Sequence, residues 1–302
     1  MPRTTTTQTP TLSLSAPRIL GCLALLLASS WSVATQSTPP APATPAPTPT
    51  RLLTRCFHAM GGPSAIEQVQ SMEIAATITL DGDDTPLARL DMAFDRAGRS
   101  LVRFTFTETD ATGTSSSMTT SFGSNGRVAW EQVHPAEGGG WRLLEQSDLN
   151  ERVAANNWLG RLLRLGSRID SMRTIDATEF NGTTCWQVAY VGSGDEPMAA
   201  FFDRDSKLLQ GFRRTFTPPV ATGDEQTPSQ TLDITFSQWR PVGELTLFHR
   251  VQLDQAGTTM QIVYDTLRLN DASPDTFALP PQVKALLPAV PSAPEKGTSN
   301  DG

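Results

Sequence analysis

The 302-residue sequence is poor in the side chains that build metal and catalytic sites, with three histidines and three cysteines. His58, His134 and His249 lie far apart in the chain, and their spacing does not match a zinc-binding motif. The sequence also lacks a Gly-x-Ser-x-Gly elbow, an Asp-Thr/Ser-Gly motif and a glycine-rich dinucleotide-binding loop. His249 shares the apolar face of a predicted strand, which favours a buried core residue over a site residue. These residues give no indication of an enzyme, a metal site or a cofactor.

Concentrated positive charge is also missing. The chain has 24 Lys and Arg against 31 Asp and Glu, a net charge of −7, and no basic run. Nucleic acids and anionic lipid headgroups are bound through surfaces of concentrated positive charge, so we expect neither as a partner. The acidic segment Asp81–Asp84 lacks the spacing of an EF-hand loop and predicts a hairpin turn rather than a calcium site.

A short apolar run near the N-terminus predicts export. Residues 19–28 are mostly apolar, follow two arginines, and precede the small residues Ser32-Val33-Ala34. This pattern is typical of a signal peptide, here over residues 1–34, and indicates the periplasm or cell envelope. A retained anchor is the alternative, although about a dozen apolar residues is fewer than the roughly 20 that span a bilayer. A lipobox ending at Cys22 does not fit, because the apolar core follows the cysteine.

Proline and small polar residues dominate the chain on both sides of a central region of ordinary composition. Residues 35–50 form a Pro/Thr-rich linker, and residues 288–302 a tail that we expect to be disordered. The folded domain is therefore expected over residues 51–287.

Two cysteines remain after export, Cys56 and Cys185. In an oxidising compartment such a pair either forms a disulfide or stays as two buried free thiols, because cysteine is among the most buried residue types. The sequence leaves both possibilities open, since it does not show that the two residues approach each other.

Three runs between residues 231 and 280 alternate apolar and polar side chains, with turn residues between the runs. Leu232, Ile234 and Phe236 share one face of the first run; residues 245–253 and 258–269 form the other two. Period-2 patterning predicts half-buried strands, and short gaps containing Gly or Pro predict antiparallel neighbours. Similar runs through the chain give about ten or eleven strands. The sequence predicts a mainly β (α+β) fold with one apolar and one polar sheet face.

Two regions show helical spacing of apolar residues. Residues 51–60 form the first helix, and Ser64 is predicted to start a second short helix as part of a capping box. Ser147 and Asp148 are predicted to cap one long helix that runs to about Leu165. Its apolar stripe consists of Leu149, Val153, Leu159, Leu162 and Leu163.

Five segments in order resemble motifs of the LolA/LolB-like superfamily, the outer-membrane lipoprotein-sorting proteins. The resemblance covers roughly residues 51–283. It rests on the helical opening Cys56 to Ser71, the turn and strand Asn125-Gly126-x-x-Ala129-Trp130, the hairpin Phe201-Phe202-Asp203-x-Asp205-Ser206, the strand Phe236-x-x-Trp239-Arg240, and the ending Asn270-x-x-x-x-Asp275-x-Phe277-x-Leu279-Pro280.

This resemblance implies an incomplete, strongly curved antiparallel β-barrel whose concave apolar face is plugged by helices. In the carriers of this superfamily that cavity takes up the acyl chains of lipoproteins during transport. We therefore expect a non-catalytic protein that binds a lipid, an acyl chain or a lipoprotein. The residues expected to line the cavity are Ile74, Ile78, Leu90, Met92, Phe94, Phe104, Phe106, Leu159, Leu162, Leu163, Leu232, Ile234, Phe236, Ile262 and Tyr264.

Two alternatives stay open from the residues alone. The same apolar strand faces serve equally well as a filled core with no cavity. The protein is then an interaction or sensor module of the cell envelope, which binds a protein partner through the sheet. Its polar segment 112–120 is the stretch that favours pairing with a partner strand.

Overall fold

A computed structural model describes residues 45–81, 85–109, 115–133, 139–192, 197–217 and 229–288. Within these ranges the helices are α1 (Pro49–Ala59), α2 (Pro63–Glu67), α3 (Gln146–Asn156), α4 (Trp158–Leu163) and α5 (Pro281–Ala285), with 3₁₀ helices at Leu165–Ser171 and Pro274–Phe277. The strands are β1 (Ser71–Leu80), β2 (Ala88–Asp95), β3 (Ser100–Thr109), β4 (Ser115–Ser124), β5 (Ala129–Gln132), β6 (Trp141–Leu144), β7 (Arg173–Phe180), β8 (Thr183–Val191), β9 (Pro197–Asp203), β10 (Leu209–Phe216), β11 (Gln230–Ser237), β12 (Arg240–Val242), β13 (Leu245–Leu247), β14 (Arg250–Gln255) and β15 (Thr258–Leu269). The predicted signal peptide 1–34, the start of the predicted linker, His134 and the tail 289–302 lie outside the described residues.

Thirteen of these strands form one antiparallel sheet in the order β6-β5-β4-β3-β2-β1-β15-β14-β11-β10-β9-β8-β7, while β12 and β13 pair as a separate hairpin. Within the described ranges the outermost strands, β6 and β7, do not pair with each other, so the sheet stays open. This architecture confirms the mainly β class and fits an incomplete curved barrel. The strand count exceeds the predicted ten or eleven, in part because strands of three or four residues such as β6 and β12 show too little alternation to be detected.

Alternating burial along the strands builds the two faces of the sheet. In β1, Ile74, Ala76 and Ile78 are buried, whereas the residues between them are partly exposed. Ile78 pairs with Ala88 on one side and Ile262 on the other, so apolar positions face the same way across strands. We call this side the inner face, because the large hydrophobic cluster and the helices lie against it.

Helix α1 begins two residues before the predicted start. The Thr48 hydroxyl accepts a hydrogen bond from the Arg51 amide at 3.3 Å, an N-cap that the linker assignment did not anticipate. The preceding residue is also held, since the Thr174 hydroxyl donates to the Pro47 carbonyl at 2.7 Å. The end of the predicted linker is therefore part of the fold. Helix α2 begins at Pro63 without a side-chain cap, so the predicted capping box at Ser64 is wrong.

The predicted long helix from Ser147 is broken into α3 and α4 at Asn157. Asn157 has φ −88° and ψ 70°, and its side-chain oxygen accepts a hydrogen bond from the Gly160 amide at 2.7 Å. This local bond caps a new helix, which is how Asn competes with continuous helical structure. The cap needs glycine at 160, because a Cβ there would lie 2.4 Å from the Asn157 side chain.

The predicted strand 245–253 is also interrupted. Leu245–Leu247 pairs with β12, and the main sheet resumes only at Arg250. Between them, His249 is buried, and its Nδ1 lies 3.1 Å from the Leu247 carbonyl oxygen. The break also buries Phe248, which strict alternation with Leu247 would have placed on the polar face.

Cys56 and Cys185 are free and buried in this structure, in separate clusters. Cys56 belongs to the inner-face cluster, whereas Cys185 packs with Phe180, Ala199 and Phe201 in a small second cluster. Burial raises the pKa of the Cys56 thiol to about 12. Burial and the neighbouring Asp203 carboxylate raise the pKa of Cys185 to about 12. Both side chains are thus neutral thiols at physiological pH.

Candidate ligand-binding face

The fold brings all fifteen residues of the predicted lining into contact with a single hydrophobic cluster on the inner face. Most of them are almost fully buried, as Leu90, Phe236 and Leu162 illustrate. Four are only partly buried and pack against the rest: Phe104, Phe106, Leu163 and Leu232. The deep part of the face is therefore filled by side chains, and the openings lie at its periphery.

Strand register explains why residues far apart in sequence meet. Phe104 pairs with Leu90, which pairs with Ala76, which in turn pairs with Tyr264. Two residues along the strands, Phe106 belongs to a neighbouring row that includes Ile78 and Phe236. Each row crosses the sheet at nearly the same position along the strands, so the apolar side chains form continuous bands.

The two ends of the sheet differ in how well these bands are covered. At rim A, the end where β1, β10 and β14 finish and β2, β11 and β15 begin, inward-facing apolar side chains are partly exposed. Leu80 is 37% exposed there and pairs with Met260, which pairs with Leu253. Together with Phe106 and Leu232, these side chains form what we call the rim row. Four of the five pack against the inner-face cluster, so the row continues the core outward.

At the opposite end, rim B, the inner face is covered. Met72, Phe94 and Phe202 lie near this rim and are buried. Helix α1 lies nearby, and the amide of Thr246 in the β12–β13 hairpin donates to the carbonyl of Met60 just after that helix, at 2.8 Å. Among the described residues, α1 and the β12–β13 hairpin therefore lie near rim B, whereas the inward-facing apolar side chains at rim A are partly exposed.

Phe248 is a core residue that the predicted lining omits. Its ring stacks on Phe236 with centroids 4.3 Å apart, and it also contacts Tyr264 at 5.7 Å and Trp239 at 5.5 Å. Phe212 extends the group, 5.6 Å from Phe236. This aromatic group occupies the centre of the inner face, where the sequence-based interpretation left open an acyl-chain cavity.

Two polar atoms beside Phe248 lack hydrogen-bond partners in the described part of the chain: the Tyr264 hydroxyl and the Trp239 ring nitrogen. The Tyr264 side chain is 2% exposed, and burial raises the pKa of its phenol. Buried polar groups are nearly always paired, so these two are exceptions.

A buried carboxylate fixes helix α3 at the lateral edge of the sheet formed by β5 and β6. Glu131 on β5 is paired with Arg142 on β6 and with Arg152 on α3, the latter at 2.5 Å. The Glu131 side chain is 6% exposed, while both arginines reach solvent. This arrangement anchors the helical segment that carries Leu159, Leu162 and Leu163 onto the sheet.

Other classes of site receive no support from the described residues. Nowhere in them are three or more His, Cys, Asp or Glu side chains grouped to hold a metal ion. No helix in the same ranges is long and apolar enough to cross a membrane. The acidic segment 81–84 is described only at Asp81, so the predicted turn there lies largely outside these ranges.

No protein-family model matches the sequence, and no curated protein matches it. Among solved structures, the fold is similar to a LolA superfamily protein from Nitrosomonas europaea, at 10% identity and TM-score 0.45, covering 78% of this chain and 99% of that one. It is also similar to a DUF1329 family protein from Desulfovibrio piger, at 9% identity and TM-score 0.44, covering 76% and 96% of the two chains. A domain from Vibrio parahaemolyticus named for outer-membrane lipoprotein sorting matches at 9% identity and TM-score 0.44, covering 73% and 93%.

These matches concern the fold alone. An open antiparallel sheet with helices against its inner face is the LolA-like arrangement that the five sequence motifs predict.

Proposed function

We propose that this protein is an exported, non-catalytic binding protein of the cell envelope that shelters an acyl chain or another hydrophobic ligand at rim A. The observation that carries the proposal is the rim row, in which partly exposed apolar side chains run directly into the buried core. Exposed apolar surface that continues a core is the kind of surface that marks a binding groove. The predicted signal peptide supports export.

The filled centre sets how such a ligand binds. An acyl chain gains about 0.8 kcal/mol for each methylene that it removes from water. A chain lying along the rim row gains this without displacing the aromatic group around Phe248. Deeper entry requires side chains of this group to move.

Native mass spectrometry of the exported protein, purified from a periplasm without detergent, tests the proposal. Wild-type protein is expected to carry phospholipid or acylated peptide, and Met260→Glu on the rim row is expected to lose it, because a carboxylate there faces the ligand. Gln261→Glu is the matched control. It adds the same charge one residue along β15 on the outer face, where the side-chain oxygen still accepts from Arg250.

Retention of the ligand by Gln261→Glu together with its loss from Met260→Glu supports the rim row. A ligand-free mass for the wild type under gentle conditions, or equal retention by both variants, rejects it. Thermal unfolding of both variants serves as the control, because it distinguishes loss of ligand from loss of folding.

A second candidate is binding of a protein partner by β-strand addition, and the pairing of β4 favours it. β3 pairs with β4 along its whole length, whereas β5 pairs only with residues 122–124. Residues 116–119 therefore have a strand neighbour on one side only, in the described ranges. Such an edge accepts a partner strand through main-chain hydrogen bonds.

Proline scanning distinguishes this second candidate. Neighbouring residues of a strand point their amides to opposite sides, so Ser117→Pro and Met118→Pro remove amides that face different edges. One variant should lower the thermal stability by disturbing the β3 pairing, and the other should block partner binding and leave stability nearly unchanged. A stoichiometric partner that is co-purified without lipid and lost in only the stable variant supports this function; binding that survives in the stable variant excludes it.

A further inference from the structure

A recess lies at rim B, between α1 and the turn that joins β9 and β10. It is a small recess that is partly open to solvent. Its lining combines apolar and charged side chains from three separate parts of the chain: Leu52, Arg55, Trp186, Phe202, Asp203, Arg204 and Lys207. Since the rim row lies where β9 begins and β10 ends, the two sites are at opposite ends of the sheet.

The charge around this pocket is positive although the protein is acidic. Arg55, Arg204 and Lys207 supply three cations against the single carboxylate of Asp203. That carboxylate is already engaged in the turn, where it accepts hydrogen bonds from the Asp205 amide at 2.7 Å and the Ser206 hydroxyl at 2.8 Å. The pocket lining therefore carries three cations and one carboxylate, and the oxygen atoms of that carboxylate already accept hydrogen bonds within the turn.

The two guanidinium groups have no acidic partner in the described part of the chain. Arg204 lies over the Trp186 ring, 5.0 Å from its centroid, which holds the group in place but leaves its N–H donors available. Arg55 has no side-chain hydrogen bond or ion pair there. Arg213 shows the contrast, because it makes two hydrogen bonds of 2.7 Å to Asp233.

Local structure fixes the third cation. The Lys207 ammonium donates to the Arg204 carbonyl, and Lys207 has a φ of +67°, a conformation stabilised by the turn that Asp203 organises. The cations are thus held by an indole ring, a turn and a helix. Leu52 and Phe202, which also line the pocket, are buried, whereas Arg204 and Lys207 are exposed and Arg55 is half-buried.

We propose that this pocket binds a phosphate oxyanion. Guanidinium groups recognise phosphate through paired hydrogen bonds, and three cations match a group that carries one or two negative charges and several acceptor oxygens. The recess is far smaller than a pocket that encloses a drug-sized ligand, so only the phosphate group itself would contact the cations, with any attached carbon atoms outside the recess. Either a soluble phosphate ester or a lipid headgroup supplies this chemistry.

The experiment compares the full chain with Arg55→Gln/Arg204→Gln and with a control, Arg51→Gln. Arg51 lies on the same helix, is exposed and does not line the pocket, so the control removes positive charge outside the site. Inorganic phosphate is titrated by calorimetry at about 0.15 M salt, where surface charges more than a Debye length apart are screened. The double variant is expected to bind roughly tenfold more weakly or worse, and the control to bind like the wild type.

Co-sedimentation with vesicles distinguishes the two sources of phosphate. Binding to phosphatidylglycerol vesicles but not to phosphatidylcholine vesicles, competed by inorganic phosphate and lost in the double variant, identifies a lipid headgroup. Phosphate binding without sedimentation identifies a soluble ester. The proposal is overturned if the wild type binds neither phosphate nor vesicles, or if the control loses as much affinity as the double variant. Should the double variant melt early, Arg55→Gln alone replaces it, with a smaller loss expected.

Discussion

Replacing Tyr264 by phenylalanine tests whether the centre of the inner face is a closed core. The Tyr264 hydroxyl is buried, lacks a hydrogen-bond partner in the described residues and lies beside the Phe248 ring. An unpaired buried hydroxyl costs about 1–3 kcal/mol. Tyr264→Phe removes that cost and keeps the ring, so the free energy of unfolding should rise by roughly 1–2 kcal/mol after allowance for the small void.

Thermal and urea unfolding measure this change. For a domain of this size, each kcal/mol corresponds to about 2–4 °C, so the melting temperature should rise by roughly 2–8 °C. The control is Thr77→Val, which has a similar shape and removes a hydroxyl that donates to Asp265 at 2.8 Å on the outer face. That variant should lose about 0.5–1.5 kcal/mol, the opposite sign.

The pH dependence provides a second test of Tyr264. Burial raises the pKa of its phenol, so the folded state holds the neutral form while the unfolded chain ionises near pH 10. This difference stabilises the fold below the unfolded pKa and is lost as the pH rises through the folded pKa. Tyr264→Phe should therefore reduce the loss of folding free energy at alkaline pH.

The stability measurement can refute the reasoning. If Tyr264→Phe is less stable than the wild type by 1 kcal/mol or more, the hydroxyl has a hydrogen-bond partner in solution.

Three further changes probe the rest of the fold. Glu131→Ala should lower the free energy of unfolding in urea by about 1–3 kcal/mol, because the buried carboxylate is lost while its arginine partners still reach solvent. Cys56 and Cys185, with pKa values of about 12, should resist iodoacetamide at pH 8 until the protein unfolds. Their contribution to the folding free energy should decline above about pH 9. Rapid labelling of either thiol in the native protein contradicts their burial. Gly211→Ala should destabilise strongly or prevent folding, since its Cβ would lie 2.1 Å from a backbone oxygen of β11; a melting temperature equal to that of the wild type contradicts the close packing of β10 on β11.

Alternation along the strands was enough to predict the mainly β class and the side of the sheet on which the apolar residues meet. Ile78 and Ile262, for example, are separated by most of the domain yet pair directly on the inner face. Period-2 patterning carries this information because each side chain has only two directions in which to point. The five motifs added the expectation of a curved sheet with helices on one face, which no single strand pattern specifies.

The failures of prediction have local causes. Asn157 ends a helix whose apolar stripe continues past it, because its side chain caps the following turn better than it supports the preceding one. Phe248 is out of phase with its neighbours in sequence, and it faces inward only because the strand is interrupted there. In both cases a single side-chain or backbone interaction overrides a periodic signal that spans many residues.

The cation pocket at rim B escaped prediction for a different reason. Net charge and basic runs are sums along the chain, and a chain of net charge −7 gives no sign of a positive site. The sheet places the β9–β10 turn against α1, so Arg204 and Lys207 meet Arg55 across about 150 positions of sequence. Because long-range pairing determines which charges are neighbours, local electrostatics can oppose the average charge. The same pairing separates this pocket from the apolar rim row by the length of the strands, so loss of phosphate binding in Arg55→Gln/Arg204→Gln should leave the hydrophobic ligand at rim A in place. If both ligands are lost together, the two rims are not independent sites: either both contact one ligand, or one conformational change couples them.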